Sequence, residues 1–253
     1  MRKDIPMELE LDDGLQFGLG IFETIAVKNS RLVFGEQHLA RMSQAASFFQ
    51  LGDLQERGIS KLLLSAYIKE HNLQNGVLKI ILTPKNIIIS SRSNPYNQDN
   101  YQRGFRASFS KIRRNETSPL VFYKTMNYGD NILAKRAALQ ECFDEKIFLN
   151  TQGQICEGSV SNIFFVKNDM IYTPKLSCGL LPGIIRGVLM DNYAIKEELI
   201  YPDELSSYSE CFVTNSLMGI MPVVQLENCT FSQHKITSQL QKFYDIQINY
   251  QFE

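Results

Sequence analysis

The order of apolar and polar residues predicts a chain that mixes β-hairpins with helices. The segments GLGIFETIAV and RLVF, joined by Lys-Asn-Ser, are typical of two strands connected by a turn. Apolar side chains then recur at helical spacing over 36–49, and a second helix is predicted over about 54–71. The runs VLKIILTP and NIIISSR are dense in Val and Ile, which favours two further strands.

The second half of the chain continues this mixture. Helices are predicted over about 129–142 and 183–197, and strands near 145–149, 162–166, 170–173, 211–214 and 222–226. Because strands and helices do not alternate strictly, the order favours an α+β fold with two α/β subdomains over a doubly wound parallel sheet.

The polar and basic text between Arg103 and Pro119 is a candidate linker between the two subdomains. We therefore predict a smaller N-terminal subdomain over 1–113, a linker over 114–120 and a larger C-terminal subdomain over 121–253.

Composition narrows the class of protein. The 253 residues are 44% hydrophobic and 21% charged, as in an ordinary globular protein. Lys and Arg number 26 against 27 Asp and Glu, so no broad positive surface for nucleic acid or anionic membrane is expected. The N-terminal text is acidic where a signal peptide would be apolar, and no apolar run approaches the ~20 residues of a membrane span. A cytoplasmic protein without a membrane or nucleic-acid partner is predicted.

Several kinds of catalytic site find no support in the sequence. Five cysteines without a CxxC pair argue against a disulfide framework or a structural zinc site. The three histidines are scattered, so a metal site is not expected. The text contains no GxSxG, no phosphate loop and no complete GxGxxG.

A few polar residues instead stand in apolar surroundings and match the chemistry of pyridoxal phosphate. They are Lys124 after PLVFY, Glu157 in GQICEGSVSNIFFV, Arg41 in HLARM, the turn Gly183-Ile184-Ile185 before a helix, and Ser216 in TNS. This cofactor needs a lysine for a Schiff base, a carboxylate for the pyridine nitrogen, and an arginine, helix N–H groups and a hydroxyl for its phosphate. Taken singly, each residue has an ordinary structural explanation, such as a surface charge for Lys124.

The chain resembles the class IV, or fold-type IV, pyridoxal-phosphate enzymes. This family includes branched-chain aminotransferases, D-amino acid aminotransferases and 4-amino-4-deoxychorismate lyases. The matching segments, in family order, are FGLGIFETIAV, HLARM, NGVLKIILT, YKTMNYGDNILAKRAA, FLNTQGQICEGSVSNIFFV, IYTPKLSCGLLPGIIRGVL and CFVTNSLMGIMPV.

The resemblance implies a role for each of these residues. Lys124 would bind the cofactor covalently, Glu157 would pair with its pyridine nitrogen, and Arg41 would hold its phosphate. Further cofactor contacts are expected from Ile184, Ile185, Asn215 and Ser216. The resemblance also implies a D-amino acid aminotransferase-like architecture, with the cofactor in a cleft between two subdomains of a homodimer whose active sites lie near the subunit interface.

Spacing within the motifs separates the members of the family. Two residues lie between Lys124 and Asn127, whereas branched-chain enzymes usually have one more; the shorter gap resembles the lyases and the D-specific enzymes. The Arg-x-His pair of the D-specific enzymes is absent from TPKNIIISSRSNPY, and TNSLMGIMPV looks most like the lyases. The resemblance therefore favours a 4-amino-4-deoxychorismate lyase acting on a small-molecule amine, with a class IV amino-acid aminotransferase as the alternative.

The chain also departs from the family pattern. Leu19 stands where the family usually has the acidic residue of GDG, and the Arg- and Gly-rich substrate loop of some lyases is missing. Arg92 is the candidate partner for a substrate carboxylate, and Tyr128 is a second candidate for substrate contact. A non-catalytic binding protein is a third hypothesis, which the joint presence of the lysine, glutamate and arginine disfavours.

Overall fold

The computed structural model describes residues 8–250 and contains two β-sheets covered by helices. Residues 1–7 and 251–253, the outer ends of the two predicted subdomains, lie outside the described residues. No helix within the described range is both long enough and apolar enough to cross a membrane.

The first sheet is built from the N-terminal part of the chain. This part contains, in order, α1 (Asp13–Phe17), β1 (Ile21–Lys28), β2 (Arg31–Leu32), α2 (Gly35–Phe48), α3 (Lys61–Glu70), β3 (Gly76–Leu82) and β4 (Ile87–Arg92). The strands lie in the order β2-β1-β3-β4, and every neighbouring pair is antiparallel. The four strands and the helix over 36–49 predicted here are confirmed.

The two faces of this sheet have different roles. Ile25, Leu78 and Ile80 are fully buried on one face, where they join the apolar core under α2 and α3. Because side chains alternate along a strand, the opposite face carries Thr24 and its cross-strand partner Lys79. That second face lines a cleft.

The second sheet follows. Its strands are β5 (Phe105–Arg114), β6 (Glu145–Asn150), β7 (Ile155–Gly158), β8 (Asn162–Lys167), β9 (Met170–Pro174), β10 (Ile195–Glu198), β11 (Glu210–Asn215), β12 (Gly219–Leu226) and β13 (Cys229–Thr230). The accompanying helices are α4 (Gln98–Arg103), α5 (Gly129–Gln140), α6 (Ile184–Asn192) and α7 (Lys235–Tyr250). Helices and hairpins are mixed rather than alternating, so the predicted α+β class is confirmed.

Part of the second sheet closes on itself. The strands β8-β11-β12-β5-β6-β7 are neighbours in that order, and β7 pairs back onto β8 between Glu157 and Asn162. The closure brings the end of β7 beside the segment that precedes α6, because the side-chain amide of Asn162 donates to the carbonyl of Leu181 at 2.8 Å. Polar side chains are thereby held in place at the edge of this closed, otherwise apolar set of strands.

Two predicted helices are wrong at one end. The helix predicted over 54–71 begins only at Lys61, because Gly58 has a φ of 74° and the Ser60 side chain caps the helix by accepting from the N–H of Leu63. The helix predicted over 183–197 ends at Asn192, and the residues that follow form β10, which pairs in parallel with β9.

The candidate linker between Arg103 and Pro119 is also wrong, because most of it is the strand β5 within the second sheet. Three of its basic residues occupy the exposed positions Arg106, Lys111 and Arg113, while Phe105, the small residues between them and the last residue, Arg114, are buried. Alternation of buried and exposed side chains, rather than chain flexibility, explains the polar text. The division into subdomains at 114–120 stays a prediction.

Candidate active site

A cleft of about 600 Å³ lies between the second face of the first sheet and the closure of the second sheet. Ligand sites of small-molecule enzymes commonly have this size. Every predicted site residue lines it: Arg41, Arg92, Lys124, Tyr128, Glu157, Ile184, Ile185, Asn215 and Ser216. The structure therefore brings together residues that are distant in sequence, while their individual roles stay predictions.

Lys124 lies in an extended segment that pairs with the start of β1. The N–H of Phe22 donates to the carbonyl of Lys124 at 2.9 Å, and the N–H of Met126 donates to the carbonyl of Gly20 at 2.8 Å. Backbone hydrogen bonds on both sides therefore fix the origin of the lysine side chain.

The two-residue gap after Lys124 has a structural counterpart. Asn127 donates its side-chain amide to the carbonyl of Gly18 at 2.9 Å. Gly18 ends α1 with a φ of 74°, a conformation that favours glycine. Leu19, which replaces the usual acidic residue, follows directly and is 39% exposed. The two-residue gap thus sets the distance along the chain between Lys124 and Asn127, which binds the turn at Gly18.

The amine of Lys124 lies between aromatic rings. Its Nζ atom is 4.6 Å from the ring centre of Phe22 and 5.0 Å from that of Tyr128, and the two rings meet edge to face at 5.1 Å. Burial lowers the pKa of Lys124 to about 8, and the nearby Arg41 guanidinium contributes in the same direction. Part of the lysine population is therefore neutral, and nucleophilic, near physiological pH.

Glu157 lies at the end of β7 and is 5% exposed. Its Oε1 accepts from Nη2 of Arg114 at 2.8 Å, and its Oε2 accepts from the N–H of Leu181 at 3.0 Å. Burial raises the pKa of this carboxyl group, whereas the Arg114 guanidinium opposes the shift. Arg114 in turn lies 4.1 Å from the ring centre of Phe148, so the carboxylate has a fixed orientation toward the cleft.

Arg41 reaches the cleft from α2. Its Nε and Nη2 atoms donate to both oxygens of Glu23 at 2.7 and 2.8 Å, and its Nη1 donates to the carbonyl of Pro182 at 3.1 Å. His38, one turn earlier on α2, contacts Glu23 through Nδ1 at 2.7 Å. The guanidinium is thus held on two sides before any ligand binds.

The N-terminus of α6 faces the same end of the cleft. Gly183 is its N-cap and no side chain caps it, so the N–H groups of Ile184 and Ile185 are not occupied by a cap. A side chain at Gly183 would collide with Asn162, since an added Cβ would lie 2.0 Å from its Oδ1 atom. Unoccupied N–H groups at a helix N-terminus bind anions.

A hydroxyl group that the sequence did not indicate adds to this anion site. Thr214 is 1% exposed and lines the cleft, and its Oγ1 atom has no hydrogen-bond partner among the described residues. Ser216 lines the cleft two residues later. Asn215 differs from both, because its side chain already holds the turn by accepting from the N–H groups of Leu217 and Met218.

Two further cations, Lys79 and Arg92, line the cleft from the first sheet. The Nζ atom of Lys79 is 4.4 Å from the ring centre of Phe22, the same ring that Lys124 approaches. Burial and the positive charge of Arg92 lower the pKa of Lys79. Neither Lys79 nor Arg92 makes an ion pair with a carboxylate in the part of the chain that the structure describes, so this pair can bind an anionic ligand.

The sequence could have indicated some of the missed residues. Lys79 interrupts the apolar strand GVLKIIL, which is an unusual place for a lysine. Glu23 interrupts IFETIAV in the same way. Arg114 and Thr214 carried no such signal, because a basic residue near a polar segment and a threonine in a strand are both common.

The residues of the cleft fit pyridoxal phosphate. A lysine with a lowered pKa stands near a carboxylate of fixed orientation, and the same cleft offers an arginine, helix N–H groups that no side chain caps and the unpartnered Thr214 hydroxyl. The Leu181–Pro182 segment contacts both Glu157 and Arg41, so one short stretch of chain connects the carboxylate with the arginine. An aldehyde with a basic ring nitrogen and a phosphate matches this donor set.

Comparison with known proteins agrees with this donor set. The family described as "Amino-transferase class IV" matches residues 20–226. A "Probable branched-chain-amino-acid aminotransferase" of Thermotoga maritima is 28% identical over 222 residues, which cover 85% of this chain and 80% of that protein. The aminodeoxychorismate lyase of Bacillus subtilis is 25% identical over 258 residues, which cover 94% of this chain and 88% of that enzyme.

The fold of a solved structure also matches. The 4-amino-4-deoxychorismate lyase from Pseudomonas aeruginosa superimposes with a TM-score of 0.82 at 25% identity, and the match covers 94% of each chain.

Proposed function

Because the chain belongs to the class IV aminotransferase family, whose cofactor is pyridoxal 5′-phosphate, we propose that it is a 4-amino-4-deoxychorismate lyase. The reaction would release pyruvate and 4-aminobenzoate, the latter for folate synthesis. Membership of the family confirms the predicted enzyme class and cofactor. The choice of reaction is the proposal.

The observation that carries the proposal is the pair of cations on the first sheet. The substrate bears one carboxylate on its ring and another on its enolpyruvyl group, so it needs more than one cationic contact. Lys79 and Arg92 line the cleft without a carboxylate partner among the described residues. A branched-chain amino acid has an apolar side chain, for which a lysine and an arginine are poor neighbours.

Two further facts support the same choice. Enzymes named as lyases of this substrate are among the relatives found by sequence and among those found by structure. The gap between Lys124 and Asn127 has the length that resembles the lyases, and Asn127 uses it to reach the carbonyl of Gly18.

An amino-acid aminotransferase is the second candidate. It is favoured by the 28% identity to the Thermotoga maritima protein. Both reactions begin with removal of the proton from the carbon that bears the amine, so Lys124, Glu157 and Arg41 would serve either one. The substrate-facing cations Lys79 and Arg92 are the residues that separate the two candidates.

The residues divide the work of the lyase reaction. When bound, pyridoxal phosphate supplies a ring that withdraws electrons from the carbon bearing the substrate amine. The neutral amine of Lys124 removes the proton from that carbon. Glu157 keeps the pyridine nitrogen of the cofactor protonated. Lys79 and Arg92 hold the two carboxylates of the substrate so that the enolpyruvyl oxygen can depart from the substrate ring. Breaking the bond between the substrate ring and the enolpyruvyl oxygen makes the substrate ring aromatic, and the released enolpyruvate takes up a proton to give pyruvate.

Turnover without a second substrate tests the proposed function. The purified enzyme, loaded with cofactor, should release pyruvate from 4-amino-4-deoxychorismate in the absence of any 2-oxo acid. A transaminase stops after one turnover under these conditions, because its cofactor must be reloaded by an oxo acid. D-Alanine and a branched-chain amino acid serve as competing donors, and turnover of either that depends on an oxo acid, without release of pyruvate from aminodeoxychorismate, would overturn the lyase proposal.

Replacing Lys79 with methionine should raise KM for aminodeoxychorismate by about 10- to 100-fold, the loss expected for one charge-assisted contact. The change keeps an unbranched apolar side chain, one atom shorter, but removes the cation beside Phe22. Initial rates measured over a range of substrate concentrations check the expectation. Lys85→Met is the matched control, since Lys85 lies on the same hairpin, is exposed and is outside the cleft. Equal KM values in the two variants would exclude a substrate contact for Lys79.

We also propose a homodimer whose interface covers the rim of the cleft. Large apolar side chains are exposed there: Phe48 is 48% exposed and stacks on the cleft residue Tyr123, and Ile132, itself a cleft residue, is 41% exposed. Leu133 follows on α5 and is 57% exposed. Apolar surface of this kind beside an active site is typical of a subunit interface, and a second copy of the chain is the occupant we propose.

A further inference from the structure

Glu23 and His38 form a buried polar pair behind the anion site. Glu23 is 1% exposed and His38 is fully buried, although each interrupts an apolar surface. Neither residue lines the cleft. Burying a carboxylate is costly, so a pair in this position requires a partner that compensates for it.

The compensating partner is Arg41. Both oxygens of Glu23 accept from its guanidinium, at 2.7 and 2.8 Å. Against the effect of burial, the Arg41 guanidinium and the hydrogen bonds from His38 and Arg41 hold the pKa of Glu23 well below its usual range, so this carboxylate is ionised. Burial lowers the pKa of His38, and the neutral ring can place its only N–H on Nδ1, where it donates to Glu23 at 2.7 Å.

A count of donors shows what this arrangement leaves for a ligand. A guanidinium has five N–H groups in a rigid plane. Two of those on Arg41 are used by Glu23 and one by the carbonyl of Pro182. The remaining two are fixed in direction, because the bidentate contact with Glu23 sets the plane, and Arg41 lines the cleft together with Ile184 and Ile185.

We propose that Glu23 is a positioning residue, held in place by His38, that orients the guanidinium of Arg41 toward a phosphate at the N-terminus of α6. The proposal rests on the assignment of Arg41 to the cofactor phosphate, which belongs to the proposed function. Glu23 itself touches neither cofactor nor substrate. Its effect is to make the two remaining donors of Arg41 available in one geometry before binding.

The test compares two ligands that differ only in the phosphate. Apo protein is titrated with pyridoxal 5′-phosphate and with pyridoxal, and binding is followed by absorbance. Glu23→Gln should weaken binding of the phosphate form by about 10- to 100-fold, with pyridoxal affected by no more than about 3-fold. Glu36→Gln removes the same charge from the exposed start of α2 and should leave both affinities unchanged.

Arg41→Met separates failure of this inference from failure of the phosphate assignment. If Arg41→Met loses affinity for the phosphate form alone and Glu23→Gln does not, Arg41 keeps its role and the positioning role of Glu23 is overturned. If Arg41→Met shows no preference between the two ligands, the phosphate assignment fails and the inference fails with it. An equal loss for both ligands in Glu23→Gln indicates only a structural role and also overturns the inference.

Variants of His38 provide a second measurement that does not depend on removing the Glu23 charge. In His38→Asn, the side-chain amide can donate from about the place of Nδ1, whereas His38→Leu has no donor. The Asn variant should therefore keep most of the preference for the phosphate form, and the Leu variant should lose about 3- to 10-fold of it. The same preference in both variants would contradict the support given by His38 to Glu23.

Discussion

Replacement of Lys124 by alanine is expected to remove both the covalent binding of the cofactor and turnover, with kcat lowered by at least about 10⁴-fold, because one residue supplies the nucleophile and the base. At pH 7.5, a pKa of about 8 leaves about a quarter of the Lys124 amines neutral, against about one in a thousand at the ordinary lysine pKa. Absorbance spectra of the purified variant with added cofactor, and rates of pyruvate release, check the expectation.

Lys124→Arg is the matched variant, because arginine keeps the positive charge between Phe22 and Tyr128 but does not lose a proton in the accessible pH range. It should be as inactive as the alanine variant. In the wild-type apo protein, capture of the cofactor should accelerate as pH rises and level off above about 8, since the neutral amine is the reactive form. A visible cofactor band or measurable turnover in either variant would refute the role given to Lys124.

The parts of the fold that the sequence predicted are those in which local pattern and tertiary packing agree. In β1 and β3, the buried Ile25 and Leu78 lie next to the polar residues Thr24 and Lys79, and this alternation corresponds to one buried face and one cleft face. The predicted helix was wrong before Lys61, although the helical spacing of apolar residues extends there. Gly58 has a positive φ and Ser60 caps the helix, so local capping overrode the periodicity.

The prediction for the segment that forms strand β5 was wrong for a different reason. All of its basic residues except Arg114 are exposed, and its buried positions include Ala107, Ser108 and Ser110, small side chains that carry little apolar signal. Only the pairing with β6 and β12 shows that the segment is a strand inside a sheet. Such long-range pairing cannot be found from the composition of ten residues.

The candidate site shows the same division. Lys124, Glu157 and Arg41 could be selected because the cofactor requires those residue types and the family resemblance gave their positions. Residues that act through them were missed, because their significance lies in contacts made across the fold. Glu23 meets Arg41 over a separation of 18 residues, and Arg114 meets Glu157 over 43. The chemistry of a cofactor restricts the groups that touch it far more than the groups that orient those groups.

Glu157→Gln is expected to lower kcat by about 10²- to 10³-fold while the cofactor remains bound, the loss typical of removing one stabilising charge from a reacting centre. The amide has nearly the same shape, and it can still accept from the N–H of Leu181. It cannot keep a pyridine nitrogen protonated, so the ring withdraws electrons less strongly. Steady-state kinetics and the absorbance spectrum of the bound cofactor measure the two effects separately.

A loss of stability could imitate this result, because the substitution leaves the Arg114 guanidinium buried without its carboxylate. Removing one partner of a buried ion pair costs about 3–5 kcal/mol, whereas removing both costs much less. The double variant Glu157→Gln, Arg114→Met should therefore recover most of the free energy of unfolding that the single variant loses, and none of its kcat. If activity returned together with stability, Glu157 would be a structural partner of Arg114 rather than the residue that faces the cofactor ring.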